Sequence, residues 1–130
     1  PVHHPGGCTA YRIDEPATGR SFVFATDVEW PLATPEEKDA FRRLCREPGS
    51  PDLLIMDGQF GRANYERFKG WGHSTWEDVV EVAREVGARR LLVGHHSPDR
   101  DDESLRKMEQ VVTAAMPGAS LARGGMEVVL

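Results

Sequence analysis

Three short apolar runs, Ser21–Thr26 (SFVFAT), Leu53–Met56 (LLIM) and Leu91–Val93 (LLV), are separated by single stretches long enough for one amphipathic helix each. This alternation constrains the fold more than any other feature. Strands that follow one another through a helix run parallel, because a parallel pair needs a crossover of a dozen or more residues. The first helix is marked by Thr34 as cap, Pro35 in the first turn and Glu37 completing a capping box, with Ala40, Phe41, Leu44 and Cys45 as its apolar stripe and Pro48-Gly49 beyond its end. The second is read as opening at Ser74, with Glu77 three residues on, lined by Trp76, Val79, Val80, Ala83 and Val86 and stopped at Gly87. A third begins at Asp101 or Asp102, turns Leu105, Met108, Val112 and Ala115 inward, and ends at Pro117-Gly118.

Ahead of these units lies a strand from Thr9 to Ile13, joined to SFVFAT by the turn Pro16–Gly19. SFVFAT is expected to be buried on both faces. Met126–Leu130 is expected to be a final strand. The order along the chain is ββαβαβαβ, an α/β fold with a mixed sheet covered by helices. The segment Gly58–Gly72 is a long loop rich in aromatic and charged residues, and a loop of that length inside a small domain is commonly functional.

The 130 residues suit one domain, and a net charge of −5 argues against broad, sequence-independent nucleic-acid binding, which needs a basic face. It does not exclude a phosphodiester substrate, because bound cations supply positive charge locally. Mean hydropathy is −0.48 and no apolar run has membrane-spanning length. Cys8 and Cys45 are too far apart for a metal pair, and their number gives no disulfide framework, so a reducing cytoplasm is the expected location. Cys45 reads as core; Cys8, in a Gly-rich loop beside two histidines, reads as an accessible thiol.

Polar residues just after parallel strands converge on one edge of the sheet. His4 before the first strand, and Asp27, Asp57 and His95 after the others, are therefore the candidates for chemistry. His4, Asp27 and His95 are ligand types that zinc and similar ions accept. A solvated loop histidine and a turn aspartate are the plainer explanations of the same residues.

Five strings in order change that balance. They are His4-Pro5-Gly6-Gly7 with Tyr11-Arg12-Ile13; Phe24-Ala25-Thr26-Asp27; Gly72-His73-Ser74-Thr75; Leu91-Leu92-Val93-Gly94-His95-His96-Ser97-Pro98; and Ala122-Arg123-Gly124-Gly125-Met126-Glu127. Together they resemble the metallo-β-lactamase superfamily over nearly the whole chain, and within it the branch of ribonuclease Z and the cyclic phosphodiesterases. The resemblance implies half of that family's αββα sandwich, with helices on the outer face. It implies a metal-dependent hydrolase of phosphodiesterase type, using two divalent ions, zinc by default with manganese or iron as alternatives. His4 and His95 would be ligands of the first and second metal, Asp27 would bridge them, and Asp57 would orient a ligating imidazole. His73 would contact the scissile phosphate and assist the leaving group. Ser74 is read as the helix cap.

The family's His-x-His-x-Asp-His motif precedes everything found here, and this sequence lacks it. The expectation is that residues 1–130 form the C-terminal portion of a longer hydrolase domain. A missing N-terminal half, from the same or another chain, or a homo-oligomer, would cover the apolar sheet face, with a small-molecule or phosphodiester substrate bound at its edge and no membrane partner. Two other functions share these residues: a different hydrolase on the same fold, acting on a thioester or a lactam, and a catalytically incomplete interaction or sensor module.

Overall fold

The computed structural model describes all residues, 1–130. Five strands, β1 (Tyr11–Glu15), β2 (Arg20–Ala25), β3 (Leu53–Asp57), β4 (Arg90–Gly94) and β5 (Ala119–Leu121), form one sheet in the order β1-β2-β3-β4-β5. β1 and β2 are an antiparallel hairpin, and every later pair is parallel. The helices α1 (Pro35–Arg46), α2 (Trp76–Glu85) and α3 (Asp102–Ala115) are the three crossovers. The ββαβαβαβ order and mixed sheet are those expected of half a metallo-β-lactamase sandwich.

From β2 onward each strand is added on the same side of the one before. With crossovers of one hand, as parallel strands require, all three helices fall on one face of the sheet. Residue burial follows. Val23, Ala25, Leu54, Met56, Leu91, Val93, Ala119 and Leu121 alternate along the strands and are almost wholly buried with Phe41, Cys45, Val79, Val82, Ala83 and Val112 of the helices. The opposite face carries Tyr11, Ile13 and Phe24, exposed by 59%, 43% and 39%. Tyr11 pairs with Phe24, and Ile13 with Phe22, so these four form one apolar band across the hairpin. β2 is thus buried on its helix side and open on the other, correcting the expectation of burial on both faces.

Local signals decide most helix ends. Thr34 caps α1 and forms the expected capping box with Glu37. The other end of α1 is held from the sheet: the Arg12 guanidinium donates to the carbonyls of Cys45 (2.6 Å) and Gly49 (2.8 Å), placing a cation on the negative end of the helix. Asp101 caps α3.

Two expectations are corrected. The cap of α2 is Thr75, not Ser74; its hydroxyl accepts from the Asp78 amide, while Ser74 is drawn into tertiary bonds described below. The last strand is Ala119–Leu121, and Met126–Leu130 forms none. β5 takes the free edge of β4, so the tail finds no strand to join there; the Val129 carbonyl instead accepts from Arg90. No helix is long and apolar enough to cross a membrane.

Candidate metal centre

The carboxyl ends of β2, β3 and β4 meet at one edge of the sheet, where ligands bind in open α/β folds. Asp57 is the last residue of β3; Asp27 and His95 follow β2 and β4. Asp27 and His95 are the two non-glycine residues with positive φ, at 54° and 55°. Such backbone costs of order 1–3 kcal/mol per residue and concentrates at functional sites. Here it turns each chain sharply off its strand and brings the two side chains together, His95 Nδ1 lying 3.3 Å from Asp27 Oδ1.

His73 arrives from the long loop. Its ring stacks on that of His95 (centroids 4.4 Å, interplanar 28°), and its Nδ1 donates to Asp57 Oδ2 at 2.6 Å. The Asp57 carboxylate also accepts from the amides of Gln59 (3.1 Å) and Val28 (3.3 Å). It is fully buried. Burial pushes its carboxyl above the usual range, and the His73 hydrogen bond pulls against that. With Nδ1 committed to Asp57, Nε2 is the His73 nitrogen left free.

Asp27, Asp57, His73 and His95 each place one donor atom within 4.8 Å of all the others. His4 stands beside this group, its ring edge-on to His73 with centroids 5.8 Å apart. The edge thus unites all five residues singled out from the sequence.

Sequence reasoning missed what holds the loop. Glu29, two residues after Asp27, is completely buried. Its carboxylate accepts from Tyr65 Oη (2.6 Å), the Gly70 amide (2.6 Å) and the Gly72 amide (2.8 Å). Burial, with the hydrogen bond to Glu29, raises the Tyr65 phenol above its ordinary range. Beside it, Ser74 Oγ donates to the Val28 carbonyl and accepts from the Trp30 amide. Residues 28–30 therefore clamp residues 70–74. The loop is closed at its base where Phe60 bridges to Thr75, and it is filled by Phe60 stacked on Phe68 at 4.4 Å. Gly72, at φ 96°, passes so close beneath the His4 ring that any side chain there would collide with it. The only available sequence signal was a charged residue immediately between apolar Val28 and Trp30.

Both cysteines lie outside this group. Cys45 is buried, and desolvation pushes its thiol up to about 12. Cys8 is half-buried and faces the Thr26 carbonyl. Trp76 packs against the core, whereas Trp71 is exposed. Arg62 binds Asp78 and Glu81 of α2, tying the loop down.

The chain has relatives among known proteins. Residues 2–96 match the family described as the β-lactamase superfamily domain. The chain belongs to this superfamily. Among its relatives, a ribonuclease Z of Gemmatimonas aurantiaca is 35% identical over 79 residues, which are 61% of this chain and 25% of that protein. A ribonuclease Z of Streptococcus equi is 25% identical over 91% of this chain and 35% of its own length. A ribonuclease BN of Cronobacter sakazakii is 34% identical over 55% of this chain and 23% of its own. This β-lactamase-superfamily chain therefore spans between about a quarter and about a third of these relatives.

Proposed function

We propose that these residues are the C-terminal portion of a metal-dependent hydrolase that cleaves phosphodiesters at a two-ion centre. The observation that carries it is the meeting of Asp27, Asp57, His73 and His95 at the carboxyl edge of the sheet. Two carboxylates this close repel each other unless protons or cations lie between them. The imidazoles of His4 and His95 with the Asp27 carboxylate make a mixed nitrogen and oxygen set that suits zinc, and also manganese or iron. His4, Asp27 and His95 would hold the ions, Asp27 serving both. A bound divalent cation supplies an acidified water and a counter-charge for phosphoryl oxygens.

The remaining work falls to the chain itself. Asp57 fixes the His73 tautomer by accepting a hydrogen bond from its Nδ1–H, which leaves Nε2 toward the site. A proton carried at Nε2 can pass to the departing oxygen, and the buried Asp57 carboxylate stabilises the ring while it is charged. Glu29 and Ser74 keep that ring in place by holding the loop. The open apolar band of Tyr11, Ile13 and Phe24 would pack against the remaining half of the domain.

The experiment uses the longest natural chain containing these residues, assayed on bis-p-nitrophenyl phosphate with zinc, manganese or iron. Metal-dependent turnover that is lost in Asp27→Ala and His95→Ala is expected. No turnover with any of the three metals, from folded protein, overturns the assignment.

A further inference from the structure

The opposite edge of the sheet, where β2 and β4 begin, carries a different kind of group. A cavity of about 250 Å³ opens there between Arg20, Asp52, Arg89, Arg90 and the tail residues Val129 and Leu130. Strands of this length, rising about 3.3 Å per residue, set it about 15 Å from the metal centre.

The charges around this cavity do not balance. Arg20 Nη1 and Arg89 Nη1 both donate to Asp52 Oδ1, at 2.9 and 3.0 Å. Asp52 Oδ2 is already taken by the Ser21 amide at 3.0 Å. The Ser21 amide and the Arg20 guanidinium hold that carboxyl below its usual range, so it stays ionised. Arg90 has no carboxylate; its Nη1 donates to the Val129 carbonyl at 2.9 Å. Glu15 faces Arg20 across the hairpin but turns back to accept from the Ala17 amide. Three guanidiniums therefore share one carboxylate, an excess of two positive charges on a chain whose net charge is −5. Each guanidinium engages one terminal nitrogen and leaves the other, with Nε, without an acceptor in the protein.

Unused guanidinium donors with surplus positive charge match the oxygens of an anion, and their planar forks suit phosphate and carboxylate geometry. A singly charged carboxylate would leave part of the excess in place, whereas a dianion cancels it. We propose that this pocket binds a small, doubly charged oxyanion of the phosphate class, separately from the metal centre. Asp52 acts as the organiser: fixed by Ser21, it sets Arg20 and Arg89 beside each other, while Val129 sets Arg90. Pre-arranged side chains lose less freedom on binding. An anion here would join the starts of β2 and β4 to the tail, so its binding should stabilise the fold. The site does not depend on the phosphodiesterase assignment.

The test titrates inorganic phosphate into the longest natural chain containing these residues, with metal chelated. Amide resonances and thermal unfolding are followed, with sodium chloride of equal ionic strength as the control. Shifts at Arg20, Ser21, Arg89 and Arg90 are expected, with a rise in Tm that chloride does not reproduce. Arg89 is exposed, so Arg89→Gln should keep the fold while weakening phosphate binding by about tenfold, the loss of one charge-assisted hydrogen bond. Equal stabilisation by chloride is screening alone and overturns the site. Shifts confined to the segments around His73 and His95 would place the phosphate at the metal centre and also overturn it, as would an affinity unchanged in Arg89→Gln.

Discussion

Asp57, with no exposed surface, accepts a hydrogen bond from His73 Nδ1 across 2.6 Å. That bond joins the end of β3 to a loop residue sixteen positions later and sets which His73 nitrogen faces the site. Replacing Asp57 by Asn keeps the volume but presents a weaker, neutral acceptor that can equally turn its amide toward the ring. Turnover should fall by about 10- to 100-fold or more. The His73 ring should lose its single tautomer, visible in its nitrogen chemical shifts. Unchanged shifts together with unchanged kcat would remove Asp57 from the mechanism.

Glu29 anchors the loop through three bonds. In Glu29→Ala, the Tyr65 hydroxyl and the Gly70 and Gly72 amides lose their acceptor in a buried setting. Each stranded donor costs about 1–3 kcal/mol. A drop of at least about 3 kcal/mol in urea unfolding is expected. In the milder Glu29→Gln, amide exchange should rise first at residues 70–74. Exchange unchanged in that loop would contradict the clamp.

Gly72 and Gly70 form a natural control. Both have positive φ, yet the space beyond Gly70 is open while Gly72 lies against His4. Alanine at either position carries backbone strain of about 1–2 kcal/mol. Only Gly72→Ala must also displace the His4 ring, so it alone should weaken metal binding, measured by zinc titration in each variant. Equal affinity in the two would place His4 outside the centre.

How much of this was legible in the sequence depended on whether the deciding contact was local. The Thr34–Glu37 box lies within one turn and was readable. Asp27, Asp57 and His95 were readable because strand ends of a parallel sheet share an edge. Ser74 was misread because Ser74-x-x-Glu77 and Thr75-x-x-Asp78 are equally good caps; the choice is made by Val28 and Trp30, more than forty residues away. Glu29 was invisible for the same reason, since all three of its side-chain partners lie in the distant loop. The three residues of β5 are too short to show a period, whereas Met126–Leu130 looks like a strand and pairs with none.

Cys45 gives a prediction about pH. Its thiol lies in the core and is pushed from 9.0 up to about 12 by loss of hydration. A folded-state value above the unfolded one contributes stability that is complete below the unfolded pKa and is lost as pH rises through the folded one. Stability should therefore decline between about pH 9 and 12. In Cys45→Ala that alkaline slope should be shallower, although the cavity lowers stability overall. Urea unfolding across this range measures both. An identical slope in the variant would show that other groups govern the alkaline limb.

The measurement that bears most directly on the centre is anomalous diffraction at the zinc edge, on crystals of the longest natural chain grown with zinc. A peak is predicted within bonding distance of Asp27 and His95, lost in His95→Ala. Zinc bound only elsewhere, or not at all by the unaltered protein, would contradict the assignment of this sheet edge as a metal centre.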